Sequence, residues 1–319
     1  MNRKHLKLIL QTALALFFIY ILFGVDFSQL LENFELIPLP IWFLAVLLFL
    51  LTFVAQALRF YLLNLNFSFI RLFQVTVFHN FFLILLPFRL GEFSYIKQRT
   101  DAGVSIAKAA ADIVVVRLYD LITLSVLFLI LLLRFPGILG ASAVLLLITL
   151  LILGAYILGL PANFHSNLVY LLKGVKGVSG LKRIILSLTA EMSTISLNHR
   201  LLLLIISILV WFCSLSPWVI FFSYILNLPV ASGLLAVTVS LIASFIPINP
   251  PGGVGAVEAG WIAGFLLVGV SYGAAVTASV FAHAILVLGI SLLTSFTFVF
   301  RETRRLISAR PFLLTGRDK

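Results

Sequence analysis

Charge is what this sequence has least of. Only 10% of its 319 residues are Asp, Glu, Lys or Arg, against 62% apolar, and the mean hydropathy is +1.19. A soluble domain carries roughly a quarter charged residues. Here too few polar side chains remain to cover a globular surface. That excludes a water-soluble fold, and the bilayer becomes the solvent. Cysteine is scarcer still: Cys213 stands alone inside an apolar run. An intrachain disulfide and a cysteine-based metal site are excluded. His5, His79, His165, His199 and His283 never fall at metal-ligand spacing. Walker loops and nucleophile–base motifs are missing too, so no metal and no cofactor are expected.

The charge that is present is unbalanced, with 22 Lys and Arg against 11 Asp and Glu and a net charge of +11. In a soluble protein this excess would point to nucleic acid. Here the basic residues sit between apolar runs, where they set membrane orientation, and nucleic acid is not an expected partner. A spanning helix needs about 20 apolar residues. Six stretches qualify: roughly 6–24, 40–61, 110–133, 138–160, 200–226 and 274–300. The first follows Arg3, Lys4 and Lys7 like a signal peptide, but it is long for one and Gly24-Val25-Asp26 is a poor cleavage context. It reads as an uncleaved membrane helix.

Basic residues place both termini in the cytoplasm of a multi-pass plasma-membrane protein. The loop with Asp26, Glu32 and Glu35 has no Lys or Arg and falls outside, whereas Arg59 and Arg71 flank a turn inside. The connection 161–199, with Lys173, Lys176, Lys182 and Arg183, is also inside, and its second half, Leu181 to Leu197, is either an interfacial amphipathic helix or a plain cytoplasmic helical loop. Arg134 alone sits in an outside loop. The count closes only if 72–108 and 232–270 each return to the side they entered from. Both open with a stretch of 16 residues, Leu72 to Pro87 and Leu234 to Asn249. At 1.5 Å per residue that reaches about 24 Å, short of a core of about 30 Å. Each then meets a helix breaker, the pattern of a re-entrant hairpin surrounded by protein or a water-filled cavity.

A shift of 166 residues aligns the two regions, Glu92 on Glu258 and Gly103-Val104-Ser105 on Gly269-Val270-Ser271. Ala109 then meets Ala275, and His283 takes the position of Arg117. The repeats run about 72–133 and 232–300. Three crossings between them invert the second copy, and inverted repeats with broken helices form the substrate site of many transporters. The expected fold is an all-α polytopic membrane domain over 1–319, with about six full transmembrane helices plus two re-entrant hairpins in an inverted repeat.

The first break reads Pro87-Phe88-Arg89-Leu90-Gly91-Glu92. Arg89 and Glu92 either line a cavity, with Arg89 gripping a phosphate, or pair to stabilise the turn. The second break carries Gly252, Gly253 and Gly255 before Glu258. Its glycines either present N–H groups to an anion or allow close helix packing. Glu258 opposes simple anion binding, and would pair with a base, take a cationic headgroup or relay a proton. Arg117 and Asp120, three apart on one helical face, either pair with each other or add Arg117 to the cavity wall. Lys108 reaches Asp112 in the same way. His283 is a packing residue or part of the site, and His79 and Asn80 extend the polar path.

These blocks resemble the lysylphosphatidylglycerol synthase transmembrane region, or flippase-like domain, family. Pro87, Arg89, Gly91 and Glu92 match its Pro-x-Arg-x-Gly-Glu pattern, and Arg117 and Asp120 its Arg-x-x-Asp. Pro251, Gly252, Gly253, Gly255 and Glu258 match Pro-Gly-Gly-x-Gly-x-x-Glu. The family often has an Arg beside that last Glu; here Val257 and Ala259 flank it, leaving the second site less basic. The resemblance implies movement of an aminoacylated or phosphate-bearing lipid between leaflets. Only a short basic tail follows Phe300, so the synthase's own aminoacyl transfer is not expected of this chain. The leading expectation is a lipid translocase acting on a phospholipid or polyprenyl-phosphate-type lipid. The competing readings are an enzyme acting on lipid-linked phosphate and a scaffold for a separate synthase or glycosyltransferase.

Overall fold

In a computed structural model of the chain, residues 27–135, 196–244 and 255–314 are described. The expected spans at 6–24 and 138–160, most of the connection 161–199, and Gly252 and Gly253 lie outside them. The described residues are helical: α1 Phe27–Leu36, α2 Leu39–Leu62, α3 Phe69–Leu85, α4 Gly91–Thr100, α5 Ile106–Arg134, α6 Leu197–Ile225, α7 Val230–Ser244, α8 Ala256–Leu267 and α9 Tyr272–Leu314. Four of these are long and apolar enough to cross a bilayer: Leu39–Leu62, Ile106–Leu131, Leu197–Ile225 and Tyr272–Thr303. They coincide with the four expected spans that fall in the described residues. Their outer faces carry large apolar side chains such as Phe43, Leu47, Phe212, Leu292 and Phe296. On a soluble protein such a surface would aggregate; in lipid it is the solvated face.

The four short helices form two packed pairs, α3 with α4 and α7 with α8. α3 stops because Leu86 precedes Pro87 and is extended (φ −94, ψ 138), the conformation a following proline enforces. One 3-10 turn, Pro87–Arg89, reverses the chain. α4 then lies so close along α3 that a Cβ on Gly91 would stand 2.2 Å from the Leu83 backbone nitrogen. In the second pair a Cβ on Gly264 would stand 2.3 Å from the Ala236 carbonyl oxygen. At 17, 10, 15 and 12 residues, none of the four spans a core of about 30 Å.

The ends of α4 and α8 match in detail. Gly103 and Gly269 both take positive φ, +87 and +85, where glycine alone is unstrained. Val104 N–H bonds to Arg99 O at 3.1 Å, and Val270 N–H to Phe265 O at 3.1 Å. The long helices then begin at Ile106 and Tyr272, again 166 apart. Each pair has its own packing centre. Tyr95, Phe60, Leu72 and Ala109 form one, and Trp261, Phe222, Val237 and Ala275 the other. Tyr95 and Trp261 occupy corresponding positions under the same shift.

Two readings from the sequence change. The acidic stretch expected as an outer loop contains a helix, α1, packed on α9 and α6. It buries Asn33 and leaves Leu31 and Leu36 exposed. Arg59, read as the flank of a turn, is inside the protein with 3% of its surface exposed. Its neighbours explain why.

Candidate functional site

Arg59 on α2 donates to Asp120 on α5, and their side chains are 4% and 1% exposed. Arg59 Nη1 also reaches Ser207 Oγ on α6 at 3.2 Å. Trp211 Nε1, also on α6, donates to the same Asp120 oxygen at 3.0 Å. Asp120 is thus a hub tying three long helices together. A buried carboxylate requires such partners, because an isolated charge in an apolar interior is expensive.

Asp120 also opens a chain of charges toward the first break. Arg117 Nη1 lies 3.4 Å from Asp120 Oδ2, and Arg117 Nη2 3.3 Å from Glu92 Oε1. Arg89 Nε is 3.4 Å from the same Glu92 oxygen. The expected Arg117–Asp120 and Arg89–Glu92 pairs are therefore both present, and Glu92 joins them into one network. The linked set has three guanidiniums and two carboxylates, one positive charge in excess. Among the described residues, the buried Arg59 Nε and Arg117 Nε have no hydrogen-bond partner. Arg89 has φ +56, a left-handed conformation that costs a residue with a Cβ about 1–2 kcal/mol.

A cavity of about 190 Å³ is lined by Arg59, Arg117, Asp120, His79, Asn80 and Trp211. A second, of about 240 Å³, is lined by Arg89, Asn80, Ser214, Ser240, Trp261 and His283. Asn80, Ser214 and Leu241 belong to both walls, so the two chambers adjoin. Asn80 is fixed there by Gln56 Oε1 at 2.7 Å and Thr76 O at 2.9 Å. His79 Nδ1 meets Gly91 O at 3.2 Å, tying α3 to the start of α4. Trp211 also lines an apolar cavity of about 680 Å³ between α5, α6 and α7.

Glu258 belongs to the second helix pair. Its Oε2 accepts the Gly255 N–H at 2.6 Å and so caps α8. Its Oε1 lies 2.9 Å from His283 Nδ1, out of line for a hydrogen bond. Glu92–Arg117 and Glu258–His283 thus have the same spacing, a carboxylate in the first turn of a short helix facing a base 25 positions later. His283 brings this pair to the wall it shares with Arg89.

A second ionic cluster was read from the sequence only in part, as the Lys108–Asp112 pair. Asp112, fully buried, accepts from Lys108 at 2.9 Å, Asn64 at 2.9 Å and Tyr95 at 3.2 Å. Arg99 Nη2 is 3.8 Å from Asp112, and its guanidinium stacks 4.0 Å from the Phe67 ring. Arg99 and Arg59 look in the sequence like ordinary juxtamembrane bases. The signal that could have found them is that Asp112 and Asp120, in an apolar helix, must have counter-ions.

No curated protein matches the chain, and neither does any solved structure. The profile of the family described as lysylphosphatidylglycerol synthase TM region matches residues 7–294, most of the chain. The long apolar helices and this match make the chain a multi-pass helical membrane protein, and it belongs to the lysylphosphatidylglycerol synthase TM region family.

Proposed function

We propose that the chain moves a phosphate-bearing lipid headgroup between leaflets through the adjoining chambers at Asn80. The observation that carries this reading is the network Arg59–Asp120–Arg117–Glu92–Arg89, with its excess positive charge and its unpartnered Arg59 and Arg117 Nε groups. A phosphodiester carries one negative charge and accepts guanidinium hydrogen bonds in a matching fork. Arg89 and Arg117 hold the phosphate, Glu92 competes with it for both, and Asp120 fixes Arg117. The apolar cavity beside Trp211 gives acyl or prenyl chains a place next to the headgroup. The family, named for the membrane region of a lipid-modifying synthase, supports a lipid substrate.

In this reading the two helix pairs are re-entrant hairpins of an inverted repeat, entering from opposite sides of a plasma membrane with both termini cytoplasmic. They open alternately to the two leaflets. The matched caps at Gly103 and Gly269 support the repeat. Gly255 does not serve the headgroup, because its N–H is held by Glu258 Oε2.

The experiment is mass spectrometry of lipid co-purified with the wild type, Arg89→Ala and Glu258→Ala, paired with an assay for covalent change of that lipid. Phosphate-bearing lipid enriched in the wild type, depleted in Arg89→Ala and chemically unaltered supports translocation. Covalent turnover would support an enzyme instead. Equal lipid in all three proteins would remove the arginine site.

A further inference from the structure

The two carboxylate–base pairs differ in their base: one has a guanidinium, the other an imidazole, the side chain that ordinarily exchanges protons near neutrality. We propose that Glu258 and His283 form a proton-binding site and that H⁺ is the ion coupled to headgroup movement. The coupling half rests on the translocation reading; the binding half does not. Burial and proximity carry the site, with His283 Nδ1 and Glu258 Oε1 close but out of line for a hydrogen bond in this structure. Glu258 is 3% and His283 7% exposed, so both sit largely out of solvent. Glu258 Oε2 is engaged by the Gly255 N–H, leaving Oε1 facing His283 Nδ1 at 2.9 Å.

Few other polar groups line the cavity that His283 enters. α7 contributes Ser240, α6 Ser214, α3 Asn80, and the first break Arg89. α7 has no ionisable residue. His79 on α3 is turned to Gly91 O, Cys213 on α6 lines the neighbouring apolar cavity, and Glu32 and Glu35 on α1 are exposed. Uptake places the proton on the imidazole, which becomes imidazolium opposite the carboxylate, and the pair is neutral. Release leaves neutral imidazole beside an anionic Glu258, and His283 lines the cavity that Arg89 also lines. The pair's net negative charge then repels a phosphate held at Arg89. The site therefore holds phosphate when protonated and lets it go when the proton leaves. One headgroup moves with one proton.

Two measurements test this separately. In the first, histidine-labelled protein in detergent is followed by NMR between about pH 5 and 8, for wild type, His283→Gln and Glu258→Gln. Expected is a proton-exchanging resonance that is missing in His283→Gln and altered in Glu258→Gln. No such resonance, or one that Glu258→Gln leaves unchanged, overturns the site. In the second, wild-type proteoliposomes carry a head-group-labelled phospholipid with and without an imposed pH gradient. Expected is a change in leaflet exchange with the gradient that a proton ionophore abolishes. Exchange indifferent to the gradient overturns the coupling. No exchange at all overturns translocation itself and, with it, the coupling, while the NMR result still decides the proton site.

Discussion

Arg59 and Asp120 are bound to each other where almost no water reaches, 61 positions apart in the chain and on different long helices. Removing one partner leaves the other as a buried, uncompensated charge, and that costs about 3–5 kcal/mol. Asp120→Ala should therefore lower the thermal midpoint of the detergent-solubilised protein sharply, and Arg59→Ala should do the same. The double variant Arg59→Met/Asp120→Leu should recover most of the loss, because both charges leave together. Double-variant stability below that of either single variant would show that the pair does not act as a unit.

Gly91 and Gly264 let the short helices of each pair touch along their backbones. A methyl group at either would meet backbone atoms at 2.2 or 2.3 Å, and backbone does not step aside. Gly91→Ala and Gly264→Ala should each cost at least about 1–3 kcal/mol. Gly273, with nothing within 4 Å of its added Cβ, is the control. Sitting in the first turn of α9, Gly273→Ala should be neutral or stabilising by up to about 1 kcal/mol. Melting curves of the three variants check the contrast.

How much of this was legible in the sequence depended on scale. Apolar runs of bilayer length fixed α2, α5, α6 and α9, because the hydrophobic requirement of the membrane outweighs every local preference. Pro87 marked the break between α3 and α4 for an equally local reason. The 166-residue shift put His283 opposite Arg117, and their carboxylate partners follow from it. Arg59 was misread and Arg99 passed over because a base near a helix end has the same local signature whether it meets a headgroup or a buried Asp. Only the packing of α2 and α4 against α5 tells them apart. α1 was hidden for a similar reason, since its acidic residues face outward while Asn33 is buried and Phe34 meets Phe281.

Arg89 holds a left-handed backbone in a turn where glycine would sit without strain. Arg89→Gly relieves about 1–2 kcal/mol of conformational cost and gives back part of it as the greater freedom of glycine in the unfolded chain. The folded protein should be as stable as the wild type or up to about 1 kcal/mol more so. Lipid exchange should nevertheless fall with the guanidinium gone. Stability and exchange moving in opposite directions would mark Arg89 as kept for function; a large loss of stability would mean that the arginine is a structural residue.

Glu92 sits 3.3 Å from Arg117 and 3.4 Å from Arg89, where it occupies donors that a phosphate would use. Glu92→Gln removes this competitor while keeping a similar shape. More phosphate-bearing lipid should co-purify with Glu92→Gln than with the wild type, and its release should be slower. Quantitative lipid analysis of the two proteins decides the point; less bound lipid in Glu92→Gln would assign Glu92 to holding the headgroup directly.

The central claim is that Arg89 in the first break and Arg117 on α5 pass a lipid phosphate across the bilayer. The most direct measurement is the leaflet exchange rate of a head-group-labelled phospholipid in proteoliposomes bearing wild type, Arg89→Ala or Arg117→Ala. Each variant is first checked for an unchanged melting temperature. Loss of one charge-assisted contact, worth about 1.5–3 kcal/mol, should slow exchange by about ten- to a hundredfold, against a wild type clearly faster than protein-free vesicles. Wild-type exchange no faster than that of empty vesicles, or variants that match the wild type, would contradict the account.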